Sequence, residues 1–243
     1  CGVNADCASN ICNGGICRCP SGMVTVPIPG GGSYCIDPVE VTYEEYNQFF
    51  TANPAHNDAR CGFNVGGYTP SQDWPPSATA GEVNFLRKPV RYVDWCDAAA
   101  YCAWRGKRLC GAIAGGGLAI PADDPNSHFQ SQWHAPGDTY NPGACADGTD
   151  DGLGSGSTTA VRNAQLNVIA VDDCQGGVVG AYHMSGNVAE WEDACDGSAG
   201  AADLCRVRGG SFASPDADAL TCGAGRLLSR DATSPDVGIR CCQ

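Results

Sequence analysis

The chain has 243 residues, 43% of them hydrophobic, which is enough for one large domain with a buried core, or for one domain and a small module. Its 27 acidic and 14 basic residues give a formal charge of −13, and such a surface repels nucleic acid and anionic lipid. Because no run of about 18 apolar residues and no basic-then-apolar leader occurs, we expect no transmembrane segment and a signal peptide that has already been removed.

The cysteine count indicates where the protein is located. Seventeen cysteines without a CxxC pair are too many for a reducing cytosol unless they bind metal. We therefore expect disulfides and an exported protein, in the periplasm, on the cell surface or in the medium. An odd count leaves at least one thiol unpaired, shared between chains or modified. The 33 glycines and 15 prolines favour short elements and many loops, and hence an irregular α+β fold.

Residues 1–35 carry a cysteine cluster of their own. A single residue separates Cys17 from Cys19, a spacing that resembles the EGF-like module. That resemblance implies the disulfides Cys1–Cys12, Cys7–Cys17 and Cys19–Cys35, although six cysteines allow fifteen connectivities. Because a segment this short cannot bury a hydrophobic core, its disulfide bridges would supply its stability. In an alternative interpretation, Cys1 is the lipid-modified first residue of a lipoprotein.

The next elements are a strand and a helix. Residues 23–27 alternate weakly and then meet a glycine run, which predicts an edge strand followed by a turn. Thr42, with Glu45 three residues later, predicts a capping box and a helix that runs through Phe50. Tyr43, Tyr46 and Phe50 share one face of that helix, so we expect this face to pack on the core.

A second helix follows a long polar loop. The loop extends from residue 51 to residue 88 and is rich in proline, glycine and asparagine. Asp94 then predicts a helix N-cap, with the helix running from Trp95 to Arg105 and ending at Gly106.

Three short motifs occur in the C-terminal third, in the order Gly186-Asn187-Val188-Ala189-Glu190-Trp191, Arg208-Gly209-Gly210-Ser211-Phe212 and Gly238-Ile239-Arg240-Cys241. Together they resemble the formylglycine-generating enzyme (sulfatase-modifying factor) family, whose domain is a variant of the C-type-lectin fold. The resemblance covers residues 22–243. It implies an α+β, irregular, C-type-lectin-like domain with two helices, short antiparallel strands and many loops.

The resemblance also implies a disulfide between Cys102, in the second helix, and Cys241, in the last strand. The remaining cysteines are predicted to pair as Cys61–Cys96, Cys110–Cys222, Cys145–Cys174 and Cys195–Cys205, with Cys242 left over.

The Gly-Asn-x-x-Glu-Trp motif builds a calcium site in the family, from two backbone carbonyls and a glutamate. The resemblance implies the carbonyls of Gly186 and Val188 and the carboxylate of Glu190 as ligands, oxygens that suit a hard cation. His183 stands where the family has Asn or Asp, and imidazole is a poor calcium ligand. In the alternative interpretation, Glu190 forms a salt bridge or hydrogen bond inside the fold.

Enzymes of the family need two cysteines shortly after Gly-Gly-Ser, which bind copper(I) as thiolates. The interval from Cys222 to Cys241 equals the family's interval from its structural cysteine to its last one. On that alignment the catalytic positions are Ser214 and about Ala219. Neither side chain binds copper(I) or exchanges a disulfide, so copper is not expected. If Cys222 is instead taken as catalytic, a single thiolate still cannot form the two-sulfur site.

We therefore predict a non-catalytic, exported protein that acts as a binding or assembly scaffold. It would present loops 53–88, 111–160 and 212–237 to a protein or glycan partner at the cell surface. Two alternatives remain. The first is a copper- or iron-dependent oxidase with a modified active site. The second is a structural subunit of an extracellular appendage or surface layer, which would self-assemble.

Overall fold

The computed structural model describes residues 12–13, 16–27, 33–55, 57–75, 85–112, 179–198, 200–216, 218–221 and 224–243. These residues form two α-helices and ten short strands. In chain order the elements are β1 (Cys12–Asn13), β2 (Ile16–Cys17), β3 (Val24–Pro27), β4 (Ser33–Ile36), α1 (Tyr43–Ala52), α2 (Trp95–Trp104), β5 (Arg108–Leu109), β6 (Ala189–Cys195), β7 (Leu204–Arg208), β8 (Gly225–Ser229), β9 (Val237–Gly238) and β10 (Cys241–Cys242). Short 3₁₀ turns lie at Ala59–Cys61, Phe85–Arg87 and Asp218–Leu220.

Both helices begin at the predicted caps. The Thr42 hydroxyl accepts the backbone N–H of Glu45 at 3.2 Å, and the Glu45 carboxylate accepts the N–H of Thr42 at 3.0 Å, which completes the capping box of α1. Asp94 accepts the N–H of Asp97 at 2.8 Å at the start of α2. Helix α1 continues past Phe50 and ends at Ala52.

The strands form two four-stranded sheets and a short β1–β2 pair. The first sheet has the order β3-β4-β10-β5, and β3 lies at its edge, as the alternation predicted. The second sheet has the order β8-β7-β6-β9, in which only the β6–β9 pair is parallel. The fold is therefore α+β with short, mostly antiparallel strands, which confirms the predicted fold class.

The main core lies between the helices and the second sheet. Trp95 of α2 and Trp191 of β6 are both fully buried within it. The Trp95 indole N–H donates to the carbonyl of Glu192 at 2.9 Å, and that of Trp191 donates to the carbonyl of Val93 at 3.0 Å. The first bond joins α2 to β6, the second joins β6 to the residue before the N-cap of α2, and together they satisfy both buried indoles.

The two faces of the second sheet differ in chemistry. On β6, Trp191 points into the main core, whereas Glu190 and Glu192 on either side of it are buried charges. Glu192 accepts from Arg208 of β7 at 2.9 Å, and both side chains are almost fully buried. Alternation along β6 therefore places a layer of paired charges behind the apolar face.

Five disulfides are present among the described residues: Cys19–Cys35, Cys61–Cys96, Cys102–Cys241, Cys110–Cys242 and Cys195–Cys205. Four of them are pairs that the sequence analysis predicted. The predicted pair Cys110–Cys222 is wrong, and Cys242 is not left over. The reason is that Cys110 follows directly after β5, which pairs antiparallel with β10 and brings Cys242 within a Cα–Cα distance of 4.9 Å.

Several sequence predictions concern residues outside this description. Each of the predicted disulfides Cys1–Cys12, Cys7–Cys17 and Cys145–Cys174 includes at least one cysteine outside the described residues, and most of loop 111–160 is also outside them. The EGF-like module at residues 1–35 stays a prediction. Within the described ranges, no helix has the length and apolarity that a membrane span requires.

Candidate functional site

The site begins at the turn that follows β7. Gly209 has a φ of +72°, and a Cβ at this position would lie 2.7 Å from the carbonyl oxygen of Met184. A Cβ on Gly210 would lie 2.8 Å from the carbonyl oxygen of Ala219. The two glycines therefore let the chain pass close to these carbonyls, and Ser211 is the next residue of the turn.

The turn is also attached to the preceding motif. The N–H of Gly186 donates to the carbonyl of Gly210 at 3.0 Å, and the N–H of Phe212 donates to the carbonyl of Asn187 at 2.9 Å. Ser211 thus lies at a point where two of the three sequence motifs meet.

A cavity of about 260 Å³ opens beside this turn. Ser214 and Ala219, the two predicted catalytic positions, both line it. The other lining residues are Val207, Gly209, Ser211, Ala213, Pro215, Ala224, Gly225, Arg226 and Asp236. The Ser214 hydroxyl donates to the carbonyl of Ala219 at 3.4 Å, so the two positions face each other across a short distance. None of these described lining residues carries sulfur.

Asp236 holds the polar side of the cavity together. Its carboxylate accepts from the Ser211 hydroxyl at 3.0 Å, from the Arg226 guanidinium at 2.7 Å and from the Ser234 hydroxyl. Burial alone would raise the pKa of Asp236, but the hydrogen bond from Ser234 and the charge of Arg226 hold that pKa below its ordinary value. The carboxylate is therefore ionised at neutral pH.

The polar groups of the cavity are hydrogen-bonded to one another. The Ser211 hydroxyl donates a hydrogen bond to the Asp236 carboxylate, which is a weak base, and the Ser211 hydroxyl oxygen accepts the N–H of Ala213 at 3.2 Å. No histidine stands among the described lining residues to act as a general base. Arg226, whose side chain is 43% exposed, supplies further donors at the rim.

All four residues of the predicted calcium site are buried: Gly186, Val188, Glu190 and His183. Glu190 accepts from the Arg240 guanidinium Nε at 2.7 Å. The same guanidinium donates to the backbone carbonyl of His183 at 3.1 Å. Burial and the nearby Arg240 lower the pKa of His183 to about 3, so its imidazole is neutral.

This arrangement does not fit a calcium ion at Glu190. A guanidinium already stands against the carboxylate and would repel a second cation. Calcium takes six to eight oxygen ligands. Among the described residues, no group of three or more His, Cys, Asp or Glu side chains offers an alternative metal site. Of the two interpretations left open by the sequence, the geometry favours the internal ion pair.

A second buried carboxyl, Glu40, lies near the same guanidinium at 3.8 Å. Neither of its oxygens has a close hydrogen-bond partner within the described part of the chain. The backbone N–H groups of Glu40 and Val188 are near enough to lower the pKa of this carboxyl, but less than burial raises it. Burial raises the pKa of Glu40 to about 8 and that of Glu190 to about 7, in each case against the opposing charge of Arg240.

Sequence reasoning missed Asp236, Arg226, Arg240 and Glu40. Asp236 and Arg226 lie in loops and strands without any motif that marks them. Arg240 stands inside the Gly-Ile-Arg-Cys motif, where only the cysteine was assigned a role. The signal available in the sequence was that this motif places a charged arginine between a buried isoleucine and a bridged cysteine.

Comparison with known proteins identifies the family. The sulfatase-modifying factor enzyme 1-like domain matches residues 27–243, which is most of the chain. The chain belongs to the sulfatase-modifying factor family.

Two relatives of this family are similar in sequence. "Inactive C-alpha-formylglycine-generating enzyme 2" of Mus musculus is 30% identical over 181 residues, covering 69% of this chain and 53% of the relative. The protein of the same name in Bos taurus is 30% identical over 181 residues, covering 69% of this chain and 54% of the relative. The chain thus spans about half the length of these relatives.

One similar solved structure is Treponema denticola variable protein 1, with 18% identity, a TM-score of 0.49 and coverage of 90% of this chain and 94% of that chain.

Proposed function

We propose that this chain is a non-catalytic member of the sulfatase-modifying factor family that binds a partner through the cavity beside Ser211. The observation that carries the proposal is the pair Ser214 and Ala219, which line one cavity at the positions predicted for the catalytic cysteines. A hydroxyl and a methyl group cannot bind copper(I) or form a mixed disulfide with a substrate cysteine.

The names of the relatives support this proposal. The proteins of Mus musculus and Bos taurus are both called inactive formylglycine-generating enzymes. Export is supported by the five described disulfides, because structural disulfides form and persist in oxidising compartments.

The partner would be recognised through hydrogen bonds. The cavity offers an ionised carboxylate on Asp236, hydroxyls on Ser211 and Ser214, and free donors on the half-exposed Arg226. Such a set suits a polar group of a protein or glycan rather than an apolar side chain. The bridged framework would hold these groups in position, which lowers the entropy lost on binding.

The absence of catalysis is tested with copper. The wild-type protein is expected to bind no stoichiometric copper(I) and to consume no oxygen with a cysteine-containing peptide. The double variant Ser214→Cys/Ala219→Cys should gain copper(I) binding, because two thiolates would then face the same cavity. Each single variant is the matched control. Copper-dependent turnover by the wild-type protein would favour the oxidase alternative instead.

Partner binding is tested with a photo-cross-linker. We expect a linker at the exposed cavity residue Ala213 to capture a partner at the cell surface, whereas one at Glu44, on the exposed side of α1, captures nothing. Asp236→Asn should weaken capture by Ala213. Equal capture at both positions would contradict binding at this cavity, and linkage between copies of the chain would favour the self-assembling subunit.

A further inference from the structure

A second cavity, of about 230 Å³, lies apart from the one beside Ser211, and no described residue lines both. It opens between a turn at residues 21–22, the loop that follows β4, the start of α1 and the end of α2. Pockets for drug-sized ligands measure about 300–1,000 Å³, so this cavity suits a smaller molecule. The side chains that bring polar groups to it are Ser21, Asp37, Glu45, Tyr101, Arg105 and Lys107.

The phenol of Tyr101 brings a buried hydrogen-bond donor to this cavity. Tyr101 is only 2% exposed, and its ring stacks on Tyr46 with a centroid distance of 5.9 Å. Its hydroxyl has no hydrogen-bond partner among the described residues. Burial, together with the charge of Glu45, raises the pKa of Tyr101 above its ordinary value, so the hydroxyl keeps its proton. A buried hydroxyl without a partner is costly, and a ligand atom in the cavity would supply one.

Four charged side chains line the cavity, two acidic and two basic: Asp37, Glu45, Arg105 and Lys107. Lys107 and Asp37 form an ion pair with each other. Glu45 uses one carboxylate oxygen, Oε2, to accept from the N–H and the hydroxyl of Thr42, which leaves Oε1 without a partner in the described part of the chain. Arg105 is exposed and has no ion-pair partner there. One acceptor and one guanidinium are therefore available to a ligand.

The walls of the cavity are held in place by bonds within the fold. The disulfide Cys19–Cys35 attaches the segment before the turn to β4, and the N–H of Met23 closes the turn by donating to the carbonyl of Pro20 at 3.1 Å. The capping box fixes the Glu45 carboxylate at the start of α1. Groups that are positioned before a ligand arrives lose less entropy when it binds.

We propose that this cavity binds a small zwitterion, a free amino acid, with its carboxylate at Arg105 and the Tyr101 hydroxyl and its ammonium group at Glu45. A ligand with a single charge would meet as much repulsion as attraction, because the lining carries two charges of each sign. A zwitterion places each of its charges against the opposite one. A guanidinium can also donate two parallel hydrogen bonds to a carboxylate, and an ammonium donates to a carboxylate oxygen. This site is independent of the partner-binding cavity beside Ser211.

The ligand class is tested by thermal unfolding of the wild-type protein with each common free L-amino acid at about 10 mM. For a Kd near 1 mM, the unfolding equilibrium shifts about 11-fold, which raises the Tm by about 3–6 °C. The amino acid with the largest effect is then compared with two analogues, one without the amino group and one without the carboxylate. For alanine these are propionate and ethylamine, and neither should raise the Tm by more than about 1 °C.

The place of binding is tested with three variants, each titrated with that amino acid by calorimetry. Arg105→Met and Glu45→Gln should each weaken binding about 10-fold or more, because each removes one charge-assisted contact. Glutamine at position 45 still completes a capping box, so α1 is retained. Tyr101→Phe should weaken binding about 3- to 10-fold and should not lower the Tm of the ligand-free protein, because the hydroxyl that it removes has no partner in the described structure.

Arg226→Met is the matched control, since it makes the same substitution at the cavity beside Ser211. The proposal is supported if this variant binds the amino acid as wild type does while Arg105→Met does not. It is overturned if no amino acid stabilises the wild-type protein, or if either analogue is as effective as the amino acid. Loss of binding in Arg226→Met with full binding in Arg105→Met would overturn it too, and would assign the ligand to the other cavity.

Discussion

Two parallel disulfides at the end of the chain should stabilise the fold in a strongly non-additive way. Cys102 in α2 bonds to Cys241, and Cys110 just after β5 bonds to Cys242, the next residue of β10. The bridges span 139 and 132 residues, and all four cysteines are fully buried. Both bridges therefore close nearly the same loop of the unfolded chain.

The magnitude follows from the loop that each bridge closes. In the chain-entropy model, a disulfide that closes a loop of 130–140 residues lowers the conformational entropy of the unfolded chain and so stabilises the fold by about 5 kcal/mol. Once one bridge is present, the second closes only the short stretch between Cys102 and Cys110, a loop of roughly ten residues worth about 3 kcal/mol. Removing either bridge should therefore cost about 3 kcal/mol, and removing both about 8 kcal/mol, an excess of about 2 kcal/mol over additivity.

The assay is urea unfolding without reductant. The variants are Cys102→Ala/Cys241→Ala, Cys110→Ala/Cys242→Ala and the quadruple variant, and the loss of sulfur packing cancels in the cycle. If the quadruple variant is unfolded in buffer, the cycle is measured in the stabilising osmolyte TMAO. Additive costs, within about 0.5 kcal/mol, would refute the reasoning. Cys222→Ala is the control for the alternative pairing, because a Cys110–Cys222 bridge would make it as costly as Cys110→Ala.

Three further predictions test the helices and the cysteine count. Thr42→Ala should lower the free energy of unfolding by about 1 kcal/mol, because it removes the N-cap of α1; urea unfolding measures this. Burial raises the pKa of Asp94 to about 6 and that of Asp97 well above its ordinary value, so the folded state holds protons that the unfolded chain releases. The contribution of these two groups to stability should therefore be greatest below about pH 4 and should fall as the pH rises through 6. Asp97→Asn should flatten this part of a Tm–pH profile. An unchanged profile would contradict the raised pKa of Asp97. Five disulfides leave seven of the 17 cysteines, an odd number, so thiol titration of the unfolded, unreduced chain should find at least one thiol unless a cysteine is modified or links two chains.

Local features of this protein could be predicted from the sequence because their causes are local. The capping box of α1 needs only Thr42 and Glu45, three residues apart, and the start of α2 needs only Asp94 and the N–H groups that follow it. The positions Ser214 and Ala219 came from the resemblance to the family, through the interval from Cys222 to Cys241, and the structure shows that both line one cavity.

Partner choice between distant residues was decided only by the tertiary structure. Sequence spacing could not tell whether Cys110 pairs with Cys222 or Cys242, since the antiparallel pairing of β5 with β10 makes that choice. Glu190 likewise reads as a calcium ligand or as an ion-pair partner, depending on what lies opposite. The parallel pairing of Glu190 with Gly238 brings Arg240, fifty residues away in sequence, against the Glu190 carboxylate. The local sequence does not reveal such a contact, because the free energy of the ion pair depends on burial that only the folded chain provides.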